Sequence, residues 1–511
     1  MKFIKNSIDL SSRLYFGMEM IRHQGEYGYV SQLSKDLGVC RWFLYFACRD
    51  LWIKALSLLS SECSVPNSLS RCQNLEEQVL CLYLECEASL ESIQSTIENF
   101  TGRSVGTGTI SEILNAYGGC LPQSDEVNES KVNKIVLNVD EMFAVGNPIL
   151  VSVNPASLFI HEIQISEKCD TDTWRESFEA ILPKKRSKGL RVVSDGALPL
   201  KKNTEMSGED SLWTMDHFHI FQPLTKYKKR LEERAFYWMR QEGSIWERIL
   251  KTKDHKRLEE LESKLNLTEE ALRIAIIDYE SFTILLRWLK EELWWIDEQT
   301  ASIRLKERVA EEIDIILELM NHLNVFELPR AVERLRDYRD DMLNFLEDAP
   351  QIKKTLQSLM PHETVAQAFL LLYSHWSRSF SAQGKGKKKC LKEADFWKRA
   401  LIEELGGEEF ERQWMELRFL LDDLVRSSSL VENVNSRLRR FVYSARGQLN
   451  QNRLNLIRYY LNHKIFKRGK RGGVSATALY DKNPNLSHWL DDLREIKAQA
   501  DERIILDQIA A

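Results

Sequence analysis

The chain has no CxxC pair and no Cys/His array at zinc spacing among its nine cysteines and ten histidines. That removes the common structural zinc modules and the dithiol redox motifs. Cys40, Cys48 and Cys63 stand apart from one another, and the opening Met1-Lys-Phe-Ile-Lys-Asn6 lacks an apolar leader segment. The cysteines are therefore expected as reduced thiols in a cytoplasmic protein. No stretch nears the roughly 18 uninterrupted apolar residues that a membrane span needs, so no membrane partner is expected. A large net charge is missing too, at −5 from 71 basic and 76 acidic residues. The balance excludes a uniformly basic protein but not local basic patches, which are what DNA feels. No fixed-period repeat runs through the chain, so a solenoid is excluded. What is present is 511 residues at 43% apolar and 29% charged, enough for three or four core-forming domains.

The N-terminal third reads as helical. Tyr29–Leu37, a turn at Gly38-Val39 and Cys40–Leu51 have the layout of a helix-turn-helix, which sets a helix in a major groove. Asn74–Glu87 and Ser89–Phe100, a turn at Thr101–Gly106, and Thr107–Tyr117 repeat the theme, with Ser104 or Thr107 as caps for the last helix. The alternative is a plain helical domain. Arg41 and Arg103 are the DNA-contact candidates of the two regions.

Near residue 131 the apolar period changes from helical to extended. Lys134–Asp140, Ile149–Val153 and Leu158–Ile165 form a strand meander, Thr171–Leu182 a helix capped by Asp170 or Thr171, and Gly189–Asp195 and Ser211–Asp216 two more strands. That order is RNase H-like, with the fourth strand beside the first. Asp140 and Asp195 each directly follow a buried-looking strand, where an unpaired charge is costly. Glu141 should face the other side of the sheet. From 222 to 425 the pattern is helical almost throughout, with aromatics at core spacing in Tyr279–Trp295 and a flexible basic loop at Ser381–Lys389. Beyond it, Ser427–Phe441 reads as a helix capped by its serines. Glu432, Asn435, Ser436 and Arg439 form its polar face, on which Asn435 and Arg439 are DNA-contact candidates, and Val434, Leu438 and Phe441 its packing face.

Carboxylates are hard ligands for Mg2+ or Mn2+. A carboxylate bridging two such ions about 4 Å apart lets one activate a hydroxyl and the other stabilise a leaving oxygen. Asp140, Asp195 and Glu432 are the candidate metal ligands and catalytic residues, with two ions per site; Asp216 and His219, three apart, are further catalytic candidates. A structural histidine is the alternative for His219. The segment around Arg439, Arg440, Arg446, Arg453, Lys467, Arg468, Lys470 and Arg471, interleaved with aromatics, reads as a phosphate-binding surface without acidic partners of its own.

These residues resemble the bacterial insertion-sequence transposases of the DDE class. The resemblance lies in Gly108-Thr-Ile-Ser-Glu-Ile-Leu114, Val139-Asp140-Glu141, Ser194-Asp195-Gly196, Ser428–Arg439 and Asn450–Lys464. Asp216-x-x-His219 is similar to the C/D-x-x-H signature of members with an all-helical insertion. The resemblance spans nearly the whole chain. It implies binding of terminal inverted repeats, metal-dependent strand cleavage and transfer, double-stranded DNA as partner, a homodimer or higher multimer, and a bacterial, nucleoid-associated location. One departure stands out. The tyrosine and arginine of a Y-R-E-K signature are missing before Glu432, where Ser428 stands four residues upstream, and only Arg439 matches after it. A hairpin-forming pathway is therefore not implied.

The expected fold class is multidomain α plus α/β. Residues 1–66 and 67–125 are helix-turn-helix regions and 131–221 the first part of an RNase H-like core. An all-α insertion fills 222–425. Residues 426–475 hold the last core helices with the basic segment, and 476–511 a tail. Two other functions fit these residues: a transposase-derived DNA-binding regulator without activity, and a structure-selective nuclease of RNase H type.

Overall fold

The computed structural model describes residues 10–23, 26, 28–41, 43–49, 51, 74–132, 134–144, 146–323, 328–360, 362–446, 448–469, 471–483 and 487–510. The chain divides into two compact units, 1–77 and 78–511. In the first unit, helices Leu10–Arg22 and Tyr29–Asp36 and the helical stretch 43–49 close around Phe16, Met20, Leu33, Phe43 and Leu44. Gly38 sits at φ +63° in the turn before the last of these, a conformation that glycine adopts without cost. Arg41 is exposed there.

The second unit is mixed α/β. Its sheet contains β1 (Ile135–Ala144), β2 (Asn147–Val153), β3 (Ile160–Ile165), β4 (Leu190–Ser194) and β5 (Ser211–Met215), in the order β3-β2-β1-β4-β5. The first three strands run antiparallel, whereas β4 and β5 are parallel to β1. Parallel neighbours need a crossover. Helix Thr171–Ile181, capped by the Asp170 side chain, supplies one, and Leu198–Met206, which had no counterpart among the expected elements, supplies the other. The fourth strand lies beside the first, as the strand pattern led one to expect.

β1 does not stop at Asp140. It continues to Ala144 because β2 stays paired with it through Ala144 and Asn147, while pairing with β4 ends at Asn138 and Val193. One side of β1 is thus open from residue 139 onward. Such a change of pairing at strand carboxyl ends is where ligands gather in open sheets.

β3 is an edge strand, and edges expose unpaired backbone groups. Two amides cover this one. Gln451 donates to Ile163 O at 2.8 Å and accepts from Ile165 N at 3.0 Å; Asn462 donates to Ile160 O at 3.0 Å and accepts from Ile160 N at 2.8 Å. Both amides belong to helix Gln451–His463, which is buried from Arg453 to Asn462. On its other side this helix meets Thr107–Gly119, whose N-cap is Gly106 without any side-chain bond, not Ser104 or Thr107.

The segment between β5 and Ser429 is helical, as expected, apart from a small ribbon of Ile296–Asp297 and Ser302–Ile303. It opens with two long helices of 35 and 38 residues, His217–Lys251 and His255–Glu292. The expected flexible loop at 381–389 is a correction. Helix Gly384–Leu405 already begins there, and its exposed first turns carry Lys385, Lys387, Lys388 and Lys389. One buried cluster runs from Leu137 and Trp213 at the sheet to Phe282, Phe369 and Phe410 in the helices. Asp348 ties the same two layers by ion pairs to Arg191 and Lys134; those partners outweigh its burial and hold its carboxyl below the usual range. No helix among the described residues is long and apolar enough to cross a membrane.

His217, 2% exposed, donates Nε2–H to Met342 O at 2.7 Å; burial and then the Arg426 charge push it down to about 3. The unfolded chain protonates this histidine below its usual 6.5 and the fold does not, so stability is lost as pH falls from about 6.5 toward 3. The loss is about 1.4 kcal/mol per pH unit. Thermal melts at pH 7 and pH 5 should show a larger drop for the wild type than for His217→Gln. Equal drops would contradict a neutral buried imidazole.

Candidate active site

Asn138 and Val193 are the last paired residues of β1 and β4. Asp140 and Asp195 each lie two residues further on, so the register sets them level across the open end of the sheet. Asp140 is half-buried: Oδ1 accepts from Glu141 N at 3.0 Å, and Oδ2 accepts from Asn435 Nδ2 at 2.8 Å. Asp195 accepts from Ala197 N at 3.1 Å, which turns the chain into helix Leu198–Met206.

Glu432 comes from helix Ser429–Ser444, 292 residues after Asp140 in the numbering (432 − 140). Three hydrogen bonds bring its helix to this edge. Asn138 Nδ2 donates to Ser427 O at 3.1 Å, His217 N donates to Arg426 O at 3.1 Å, and Ser428 Oγ donates to Asp216 Oδ2. Val431, Val434, Leu438 and Phe441 are buried, as the packing face requires. Of the capping serines, Ser427 Oγ accepts from Ser429 N at 3.2 Å, while the Ser428 hydroxyl is spent on Asp216.

The electrostatics show how tightly the acids are grouped. Burial first, then the charges of Glu432, Glu141 and Asp195, push the Asp140 carboxyl up to about 7. Glu141 is raised as well, by burial and by Asp195, and its Oε2 is buried with no hydrogen-bond partner. It belongs to the acidic group although alternation sends it to the other side of the strand. Among the described residues, however, no three His, Cys, Asp or Glu side chains converge as a ready metal cage. Two neighbours hold the acids apart: Asn435 keeps Asp140, and Arg439 Nη1 stands 3.7 Å from Glu432 Oε2. The repulsion and the missing cage are compatible, because charge repulsion acts over a longer range than ligation.

Asp216 is 1% exposed and caps helix His217–Lys251, with Oδ1 accepting from Phe218 N at 2.8 Å. Both of its oxygens are therefore engaged in holding two helix starts. His219 Nε2 stands 3.8 Å from Asp216 Oδ2 and is partly exposed. An amide can replace this carboxylate in both bonds, so Asp216→Asn should keep any nuclease activity within about tenfold, whereas Asp216→Ala should cost about 1–3 kcal/mol of stability. A complete loss in the folded Asn variant would instead make Asp216 a reacting group.

Several expected DNA contacts are corrected. Asn435 is fully buried and orients Asp140, because it lies on the border between the packing and polar faces of its helix. Arg453 is 3% exposed and donates to Gln448 O at 2.7 Å and Ser111 Oγ at 2.8 Å. Arg471 donates to Ala156 O at 3.1 Å and Pro155 O at 2.6 Å, holding the β2–β3 turn. A guanidinium bonded in this way to the chain's own backbone and side chains is committed to the fold rather than presented to phosphate. The basic segment also has acidic partners from elsewhere: Arg440 with Glu87 at 3.3 Å and Arg446 with Glu91 at 3.7 Å. Arg103, Arg439, Arg440, Arg446, Lys467 and Arg468 are exposed; Lys470 lies outside the described residues.

The pattern missed Asn138, although a lone amide inside the buried run Ile135–Val139 was a visible signal. It also missed the tie between Ser428 and Asp216, for which no local signal exists, since 212 residues separate them. No family model matches the chain, and no curated protein does.

Proposed function

We propose that this protein is a DDE transposase that cuts DNA at the ends of a mobile element and joins the freed strand to target DNA. The observation that carries the reading is the grouping of Asp140, Asp195 and Glu432 at one open sheet edge, where burial first and then the charges of Glu432, Glu141 and Asp195 raise Asp140 to about 7. A half-buried group of like charges is costly unless a cation compensates it. The strand order, with crossover helices after β3 and β4, supports an RNase H-like core.

The donor set fits hard divalent ions: three carboxylates, and a fourth in Glu141 with an orphaned buried oxygen. Asp140, Asp195 and Glu432 would hold Mg2+ or Mn2+, which would activate the attacking hydroxyl and stabilise the leaving oxygen. The chain's own residues do the rest. Asn435 fixes the Asp140 carboxyl, and Arg439, exposed beside Glu432, is available to a DNA phosphate. Arg440, Arg446, Lys467 and Arg468 extend the same basic segment for the DNA backbone. Exposed Phe236, Met239, Trp246 and Leu250, at steps of three, seven and four, give helix His217–Lys251 an apolar seam suited to self-association.

The test is cleavage of DNA carrying the sequences that flank the gene, with Mn2+ or Mg2+. Wild type should cut and Asp195→Ala should not, with end binding in gel shifts retained. Undiminished cutting by the variant sinks the assignment. Binding without cutting by the wild type would favour a DNA-binding regulator.

A further inference from the structure

Helix Leu328–Asp337, from the long helical segment, comes back to the end of β5 and closes a cavity of about 240 Å3. Its wall includes Met215, His219, Tyr227, Arg330, Arg334 and Tyr338. Two features mark it out. Arg330 and Arg334 are exposed, one helical turn apart, and neither has a carboxylate partner among the described residues. On the same helix Arg336, by contrast, is paired with Glu318 at 3.2 Å. The second feature is position. A Cβ added to Gly196 would lie 3.3 Å from Tyr338 Oη and 3.6 Å from Met215 Cε. Gly196 follows Asp195 directly, so the cavity wall rests on the loop that carries a candidate metal ligand. His219, 3.8 Å from Asp216, borders it from the other side.

We propose that this cavity takes one unpaired nucleotide of the DNA strand, with its phosphate on Arg330 and Arg334 and its base against Tyr338 and Tyr227. The chemistry follows from the lining. Paired guanidiniums at helical spacing grip a phosphate, and aromatic rings accept any base face. The volume falls below the roughly 300 Å3 at which pockets for larger ligands begin, so it admits one heterocycle and not a base pair. The inference rests on the DNA reading above and deepens it: the helical segment supplies part of the strand-binding surface beside the carboxylates. The Arg334 guanidinium lies 5.9 Å from the Tyr338 ring centre, so the cationic and stacking surfaces are contiguous.

The test uses the full chain in EDTA, so that no metal contributes. The probe is a 5′-phosphorylated, 3′-fluorescein-labelled thymidine pentanucleotide, read by anisotropy. The Arg330→Ala/Arg334→Ala double variant should weaken its binding about tenfold or more. Tyr338→Ala should weaken it several-fold, and Arg336→Ala, on the same helix but away from the cavity, should leave it unchanged. A 20-bp duplex should bind the double variant within about twofold of wild type. Unchanged pentanucleotide affinity in the double variant, or an equal loss in Arg336→Ala, overturns the proposal. Free dTMP competing as well as the pentanucleotide would assign the cavity to free nucleotides and overturn the strand assignment. The arms separate from the cleavage assay: a wild type that never cuts DNA but binds the probe through Arg330 and Arg334 refutes the transposase and keeps the pocket.

Discussion

Asp140→Asn is expected to abolish metal-dependent cleavage while making the metal-free protein slightly more stable. The first effect follows from ligation: an amide is a poor substitute for a bridging carboxylate. Residues acting as one unit lose at least about a thousandfold when any is removed. The second follows from the charges around Asp140. Burial, Glu432, Glu141 and Asp195 all disfavour its ionised form. Neutralising it removes that repulsion and leaves the local hydrogen bonds intact. Glu141 N still finds an oxygen, and the new amide can donate to Asn435 Oδ1, which is buried without a partner, once Asn435 turns over. A gain of about 1–2 kcal/mol at neutral pH is reasonable for one member of such a group. Melting curves in EDTA should therefore show the variant above the wild type. Adding Mn2+ should raise the wild type and leave the variant where it was, since only a bound ligand stabilises. A variant that melts lower in EDTA, or one that still responds to Mn2+ like the wild type, contradicts the carboxylate group as a cation site.

Gly118→Ala is expected to be the most damaging small substitution in the second unit. Gly118 lies where helix Thr107–Gly119 crosses helix Gln451–His463, and a Cβ there would lie 1.9 Å from Asn452 O and 2.5 Å from its carbonyl carbon. The obstacle is helical backbone, which cannot rotate aside as a side chain would. The helices must separate. Helix Gln451–His463 carries Gln451 and Asn462, whose amides cover the β3 edge. Displacing it strips hydrogen bonds from an edge strand whose remaining outer pairing is a short bridge from Ser124 and Asp125 to Glu162 and His161. A cost of about 3 kcal/mol or more is expected from overpacking and the lost bonds together. Urea denaturation would read it as a lower midpoint. Gly119→Ala is the control, because its nearest neighbour is the flexible end of the Asn452 side chain at 3.6 Å. Equal midpoints for the two variants would mean that the close crossing is not a constraint.

The sheet was legible because its signals are local. Ile135–Val139 and Leu190–Val193 are mostly apolar runs broken once each, by Asn138 and Arg191, and short turns separate the three strands of the antiparallel meander. The aspartates were legible for the same reason, as each closes such a run. The basic segment misled because charge alone does not say where a side chain ends. Arg453 and Arg471 look like Arg446 and Arg468 in the sequence, yet the first two are consumed by carbonyls and the last two remain exposed. The lysines at 385–389 misled because glycine and lysine suit a surface loop as well as an exposed helix start.

By itself the sequence determined the order of strands, the acids that close two of them and the helix that bears Glu432. Each of these depends on a run of neighbouring residues. Only the tertiary structure decided that Glu432 returns to Asp140, because that return hangs on Asn138, Asp216 and Ser428 meeting across more than 200 residues, with bonds at separations of 289 and 212. It also decided that Asn435 serves Asp140 and that Arg330 and Arg334 line a cavity whose Tyr338 and Met215 stand against Gly196. Contacts of that kind depend on how buried faces pack, and packing is a property of the whole core that no local pattern records.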